Sequence, residues 1–177
     1  MSLLKQIAIA FAGVVGIFIV AGLLLPQQVH VERKVDIEAP VGSLFPLLDD
    51  LRAFNRWSPW AGIDPDTEYT FSDPSSGEGA WMRWESEHPN VGSGELRILE
   101  IVPNERVVME LDFGPKGIAT AILDVEPTAT GSRVTWSLDE DFGYNLLGRY
   151  FGLLLDGMLG PLYEKGLTNL KALAEKR

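Results

Sequence analysis

NLLGRYFGLLLDGMLGPLYEKGLTNLKALAEK, residues 145–176, is the stretch around which the rest of the chain is organised. Leu147, Phe151, Leu154, Met158, Leu162, Leu167, Leu170 and Leu173 recur mostly every three or four residues, which lines one face of an α-helix. Arg149, Asp156, Glu164, Lys165, Lys171 and Glu175 fall largely on the other side. At 1.5 Å per residue the helix runs to roughly 45 Å, enough to cross a sheet. Pro161 cannot donate to the i→i−4 ladder and is expected to kink it near Gly160. Gly148, Gly152, Gly157, Gly160 and Gly166 each cost about 1 kcal/mol of helix propensity against Ala. Glycines kept at that cost point to close approach of another backbone, or to space left for something else.

Upstream, apolar residues alternate with polar ones at period two, the mark of half-buried strands. Val29, Val31, Val35 and Ile37 alternate with His30, Glu32, Lys34 and Asp36, and Arg33 breaks the apolar side. A charge there needs a partner or water. A short helix follows Pro40, through Val41, Leu44, Phe45, Leu47, Leu48 and Leu51, with a further turn to Phe54. Strand patterns then recur at Tyr69–Phe71, Ala80–Ser86, Gly94–Ile101, Val107–Phe113, Ala119–Val125 and Val134–Leu138. The turns between them are short and rich in Gly, Pro and Asn, so the strands read as an antiparallel meander with one covered face. The first strand is expected to pair with the last.

The N-terminus is of another kind. Ile7–Leu25 contains only Ile, Ala, Phe, Gly, Val and Leu, long enough to span a bilayer and without a polar face. The apolar run is too long for a signal peptide and no A-x-A site stands directly before Pro26-Gln27-Gln28, so the segment reads as an uncleaved single-pass anchor. Residues 1–28 are thus an anchor with a short linker, and residues 29–177 a single domain. Lys5 precedes the span and Arg33 and Lys34 follow it, so charge barely fixes the orientation. A short positive leader favours an extracytoplasmic domain. Ala8, Ala12 and Gly16 form a small-residue stripe suited to weak self-association.

Composition excludes several classes. The net charge of −10 and the lack of a basic cluster argue against nucleic acid and anionic lipid headgroups. Without Cys there is no thiolate chemistry, and with only His30 and His88 no His-rich metal site or His-dependent triad is expected. No cofactor and no catalytic residue is indicated.

The order of strand, two short helices, strand meander and long C-terminal helix is a helix-grip arrangement. The chain resembles the SRPBCC superfamily, the START-like and polyketide cyclase/dehydrase-like proteins, and within it a membrane-anchored bacterial branch. The resemblance rests on Ile37-Glu38-Ala39-Pro40, Trp57-Ser58-Pro59-Trp60, Gly131-Ser132-Arg133-Val134-Thr135-Trp136 and Gly160–Lys171. It implies an α+β fold: a curved antiparallel sheet around the long helix, with a deep cavity between them. It also implies functions as diverse as lipid carriage, reception and cyclisation, so fold alone does not select one.

The residues expected to line that cavity are Trp57, Trp60, Trp81, Trp84, Met109, Leu111, Ala121, Trp136, Phe151, Leu154 and Met158. Large rings with one polar edge suit ligand pockets. Arg33 and Glu140 are expected to meet at one mouth of the cavity and to orient a ligand headgroup. The leading expectation is membrane-tethered binding of a hydrophobic small molecule or lipid. A cyclase, dehydratase or hydrolase using carboxylates is the second, with Glu85, Glu87, His88 and Asp139 as acid–base candidates. The third is a protein-interaction module with a collapsed interior.

Overall fold

In a computed structural model, seven antiparallel strands form one curved sheet, gripped along one face by a 29-residue helix. The structure describes residues 3–176, apart from the Lys116 side chain; Met1, Ser2 and Arg177, within the expected boundaries, lie outside them. The strands are β1 (Gln28–Ile37), β2 (Glu68–Phe71), β3 (Trp81–Glu85), β4 (Gly94–Val102), β5 (Arg106–Asp112), β6 (Ile118–Pro127) and β7 (Ser132–Asp141). The helices are α1 (Leu3–Leu24), α2 (Val41–Leu44), α3 (Leu51–Asn55) and α4 (Leu146–Ala174). The spatial order β1-β7-β6-β5-β4-β3-β2 pairs the first strand with the last, and Arg33 lies opposite Trp136 while Val29 lies opposite Glu140.

The period-two pattern decides which face is covered. Val107, Met109, Leu123, Val134, Trp136 and Leu138 point inward and are buried. In β3 the two faces both carry Trp, and the structure resolves them: Met82 is buried inward, while Trp81 lies outside, under the Arg83 guanidinium 4.7 Å from its ring centroid. The expected helix after Pro40 is broken up. Pro46 has no N–H to continue an α-helical ladder, and after α2 the chain tightens into a 3₁₀ turn over Phe45–Leu47.

The C-terminal helix is unbroken across Pro161 and starts on Asn145, whose side chain accepts from the Gly148 N–H at 3.0 Å. Its buried face differs from the expected one. In the second half Leu167 and Leu170 are buried as read, but in the first half the inward positions are Arg149, Gly152 and Leu155. Leu147, Phe151, Leu154 and Met158 are instead 45–71% exposed. One position is about 100° of helix, so the stripe is rotated by one residue there. Glycine explains the shift. A Cβ on Gly152 would stand 2.7 Å from Val29 Cγ2, and one on Gly166 2.8 Å from the Trp136 ring and 2.9 Å from Pro59. Close approach is the reason for these glycines; around Gly157 the space is open.

Arg149, expected on the solvated side, is 3% exposed. Its Nη1 donates to the carbonyls of Leu23 (3.1 Å) and Leu25 (3.3 Å), and its Nη2 to that of Gly143 (2.6 Å). The last carbonyls of a helix have no partner within it, and a cation is favoured at that end. Arg149 therefore caps α1 from α4. The next residue, Tyr150, stacks on Phe18 with centroids 4.3 Å apart and donates to the Phe18 carbonyl at 2.7 Å.

Candidate functional site

Between the sheet and α4 lies a cavity in two adjoining chambers of about 660 and 340 Å³. Trp60, Leu111, Phe113, Phe151, Met158, Leu159 and Tyr163 line both, so the chambers meet along α4. The outer chamber continues past Ile118, Glu140 and Leu147; the inner one is walled by Tyr69, Met82, Trp84, Met109, Ala121 and Trp136. Small Ala119 and Ala121 on β6 face the helix where larger side chains would fill the space.

Of the residues singled out from the sequence, Trp60, Trp84, Met109, Leu111, Ala121, Trp136, Glu140, Phe151 and Met158 lie on the cavity wall. Four do not. Trp57 is fully buried beside it in the core, with its indole Nε1 donating to the Leu47 carbonyl at 2.8 Å. Trp81 is on the outer face of the sheet, and Leu154 points away from the wall on the exposed side of α4. Arg33 is held against α4, donating from Nη1 to Asp156 at 2.8 Å and from Nε to Glu164 at 2.9 Å. Its guanidinium fills the place a Cβ would take on Gly160.

The expected Arg33–Glu140 pair is therefore absent. The two residues sit four positions apart along the β1–β7 ladder, and the charges on α4 are nearer to Arg33 than Glu140 is. Asp156 is held below the usual carboxylate range by Arg33. Glu140 goes the other way: burial at the cavity wall, and secondarily the Asp141 charge, push its carboxyl up.

Two polar groups at the junction were missed by sequence reasoning or only half seen. Tyr163 is 1% exposed, and burial alone pushes its hydroxyl pKa up strongly. Its ring is stacked on Trp136 with centroids 4.0 Å apart and 6° between planes. The buried Trp136 Nε1 has no hydrogen-bond partner among the described residues. Leaving a buried donor unmet costs about 1–3 kcal/mol. Tyr163 had a signal in the sequence, since Leu155, Leu159, Tyr163 and Leu167 follow each other at intervals of four. The neighbouring stripe, with more large apolar residues, hid it.

The other acid–base candidates stand apart from the cavity wall. Glu85 and Glu87 are exposed, His88 Nδ1 accepts from the Asn90 N–H at 3.2 Å, and Asp139 pairs with His30 at 2.7 Å.

Residues 28–175 match the model of a family described as polyketide cyclase / dehydrase and lipid transport. Curated protein sequences give no match. Among solved structures, a protein from Rhizobium leguminosarum is similar with a TM-score of 0.58 at 17% identity, covering 85% of this chain and 96% of that one. A Mesorhizobium loti protein gives 0.58 at 14% identity, over 83% and 97% of the two chains. The Aha1 dimer from Colwellia psychrerythraea gives 0.56 at 14% identity, over 83% and 96%. At these identities the likeness is one of fold. With the family model covering nearly the whole sheet-and-helix unit, this chain belongs to the polyketide cyclase / dehydrase and lipid transport family.

Proposed function

We propose that this protein binds a hydrophobic small molecule or lipid between its sheet and α4, while α1 tethers it to a membrane. The observation that carries the reading is the cavity itself. Its chambers have the size of small-molecule sites and a largely apolar wall with a few polar groups. The family description, which includes lipid transport, supports it. So does α1, 22 residues long with a mean hydropathy of 2.8 over its most apolar window. In this reading Trp60, Trp84, Met109, Leu111, Ala121, Phe151 and Met158 hold the apolar body of the ligand. The unmet Trp136 Nε1–H and the Tyr163 hydroxyl take an acceptor on it, such as a carbonyl oxygen. Glu140 and Asp141 near the mouth disfavour a ligand carboxylate there and favour a neutral or cationic polar end. The domain faces outward from the cytoplasm, and self-association runs through Ala8, Ala12 and Gly16.

One observation favours catalysis as a second reading. Glu140 sits at the cavity wall with a raised pKa, the condition of a carboxyl that can act as general acid or base. An interaction module with a collapsed interior is disfavoured by the open cavity.

Filling the inner chamber is the direct test. Ala121→Phe is expected to abolish uptake of the apolar fluorophore N-phenyl-1-naphthylamine while the protein stays folded by circular dichroism. Unchanged uptake in the folded variant contradicts binding in this chamber.

A further inference from the structure

We infer that the first three turns of α4 lie in the surface of the bilayer crossed by α1, so that the cavity mouth opens onto lipid. The inference rests on the membrane tether proposed above and adds where the domain sits.

Three observations fix the geometry. The apolar run Ile7–Leu25 is about 28 Å long, close to the thickness of one hydrocarbon core. Phe18 lies seven residues before its end, about 10 Å down the helix. Tyr150 of α4 is stacked on that Phe18 and donates to its carbonyl, so α4 reaches α1 below the level at which α1 leaves the hydrocarbon. Next, only Leu25, Pro26 and Gln27 separate α1 from β1, and the Phe142 N–H donates to the Gln27 carbonyl at 2.9 Å. Arg149 then ties the end of α1 to α4 and to Gly143. A linker this short, clamped on both sides, gives the domain one orientation relative to α1.

That orientation accounts for the exposed apolar surface. Leu147, Leu154 and Met158 on α4 and Ile118 at the start of β6 are 54–71% exposed, and all but Leu154 also line the outer chamber. An apolar patch next to a membrane helix is buried at least cost in lipid. The carboxylates at the mouth, Glu140 and Asp141, suit zwitterionic headgroups better than anionic ones. A ligand dissolved in the bilayer then enters without crossing water.

The chain has no Cys, so single labels can be placed cleanly. The full chain is reconstituted in phosphatidylcholine nanodiscs carrying an NBD label at Leu154→Cys, Ile118→Cys, Val14→Cys or Ala129→Cys. Ala129 is in the β6–β7 turn, at the other end of β6 from Ile118 and about 30 Å away. Nitroxide lipids are expected to quench Leu154→Cys and Ile118→Cys to an extent comparable with Val14→Cys. Ala129→Cys is expected to respond to aqueous iodide instead. If Val14→Cys is quenched by lipid while either Leu154→Cys or Ile118→Cys behaves like Ala129→Cys, the inference falls and the tether stands. If Val14→Cys is itself open to iodide, tether and inference fall together.

Discussion

Trp136 on β7 and Tyr163 on α4 lie face to face, 4.0 Å between ring centroids, at the junction of the two chambers. The stack joins sheet to helix, and its buried Trp136 Nε1–H has no partner among the described residues.

From this follows a first prediction. Trp136→Phe and Tyr163→Phe keep a ring in the stack and remove one polar group each. A neutral hydrogen bond is worth about 1 kcal/mol net, so each variant is expected to bind a carbonyl-bearing ligand roughly fivefold more weakly. Titration by tryptophan or ligand fluorescence reads this. Equal loss for a hydrocarbon ligand without an acceptor would show that packing alone is at work.

Glycine substitutions separate the two reasons for glycine on α4. Gly157→Ala meets open space and gains up to about 1 kcal/mol of helix propensity. Gly166→Ala drives a methyl into the Trp136 ring and Pro59, and is expected to cost about 1–3 kcal/mol by overpacking. Urea melts of the two variants should move in opposite directions.

Glu140 gives a pH signature. Its folded pKa is raised above the ordinary 4.5, so the protonated form suits the folded state. Its contribution is fully present below pH 4.5 and is lost as pH rises through the folded value. Glu140→Gln removes this loss. The variant is expected to be more stable than the parent at neutral pH, with the gap closing below pH 4.5. A gap that widens in acid would contradict burial as the cause.

His30 behaves in the same sense for a different reason. The Asp139 hydrogen bond raises its pKa above 6.5, so its contribution is present below that pH and lost as pH rises through the folded value. With His30 half exposed, the effect on stability is small. An NMR titration is expected to place His30 above 6.5 and to return it toward that value in Asp139→Asn.

Much of the fold was legible because it rests on period. Seven strand patterns and the long helix follow from alternation and spacing, and each is where the residues put it; the β1–β7 pairing, expected with the helix-grip arrangement, is observed as well. What failed was the choice of partner between elements. Arg33 was matched with Glu140 by strand register alone, yet α4 brings Asp156 and Glu164 across the same face. The face of α4 was assigned from large apolar residues, but Gly152 lets β1 approach on the neighbouring side. Leu147 and Leu154 are thereby left exposed. Arg149 read as a solvated charge because its partners are backbone carbonyls, those at the end of α1 some 125 residues away, which no side-chain pattern announces. Trp57 and Trp136 were alike in the sequence; only packing makes one of them core and the other cavity wall.

The most direct measurement is native mass spectrometry of the full chain, released from detergent after purification from a bacterial membrane, with organic extraction of anything retained. A defined co-purifying apolar molecule, lost from folded Ala121→Phe, is the predicted result. A ligand-free mass in every preparation, with no uptake of an added apolar probe, would contradict the binding function.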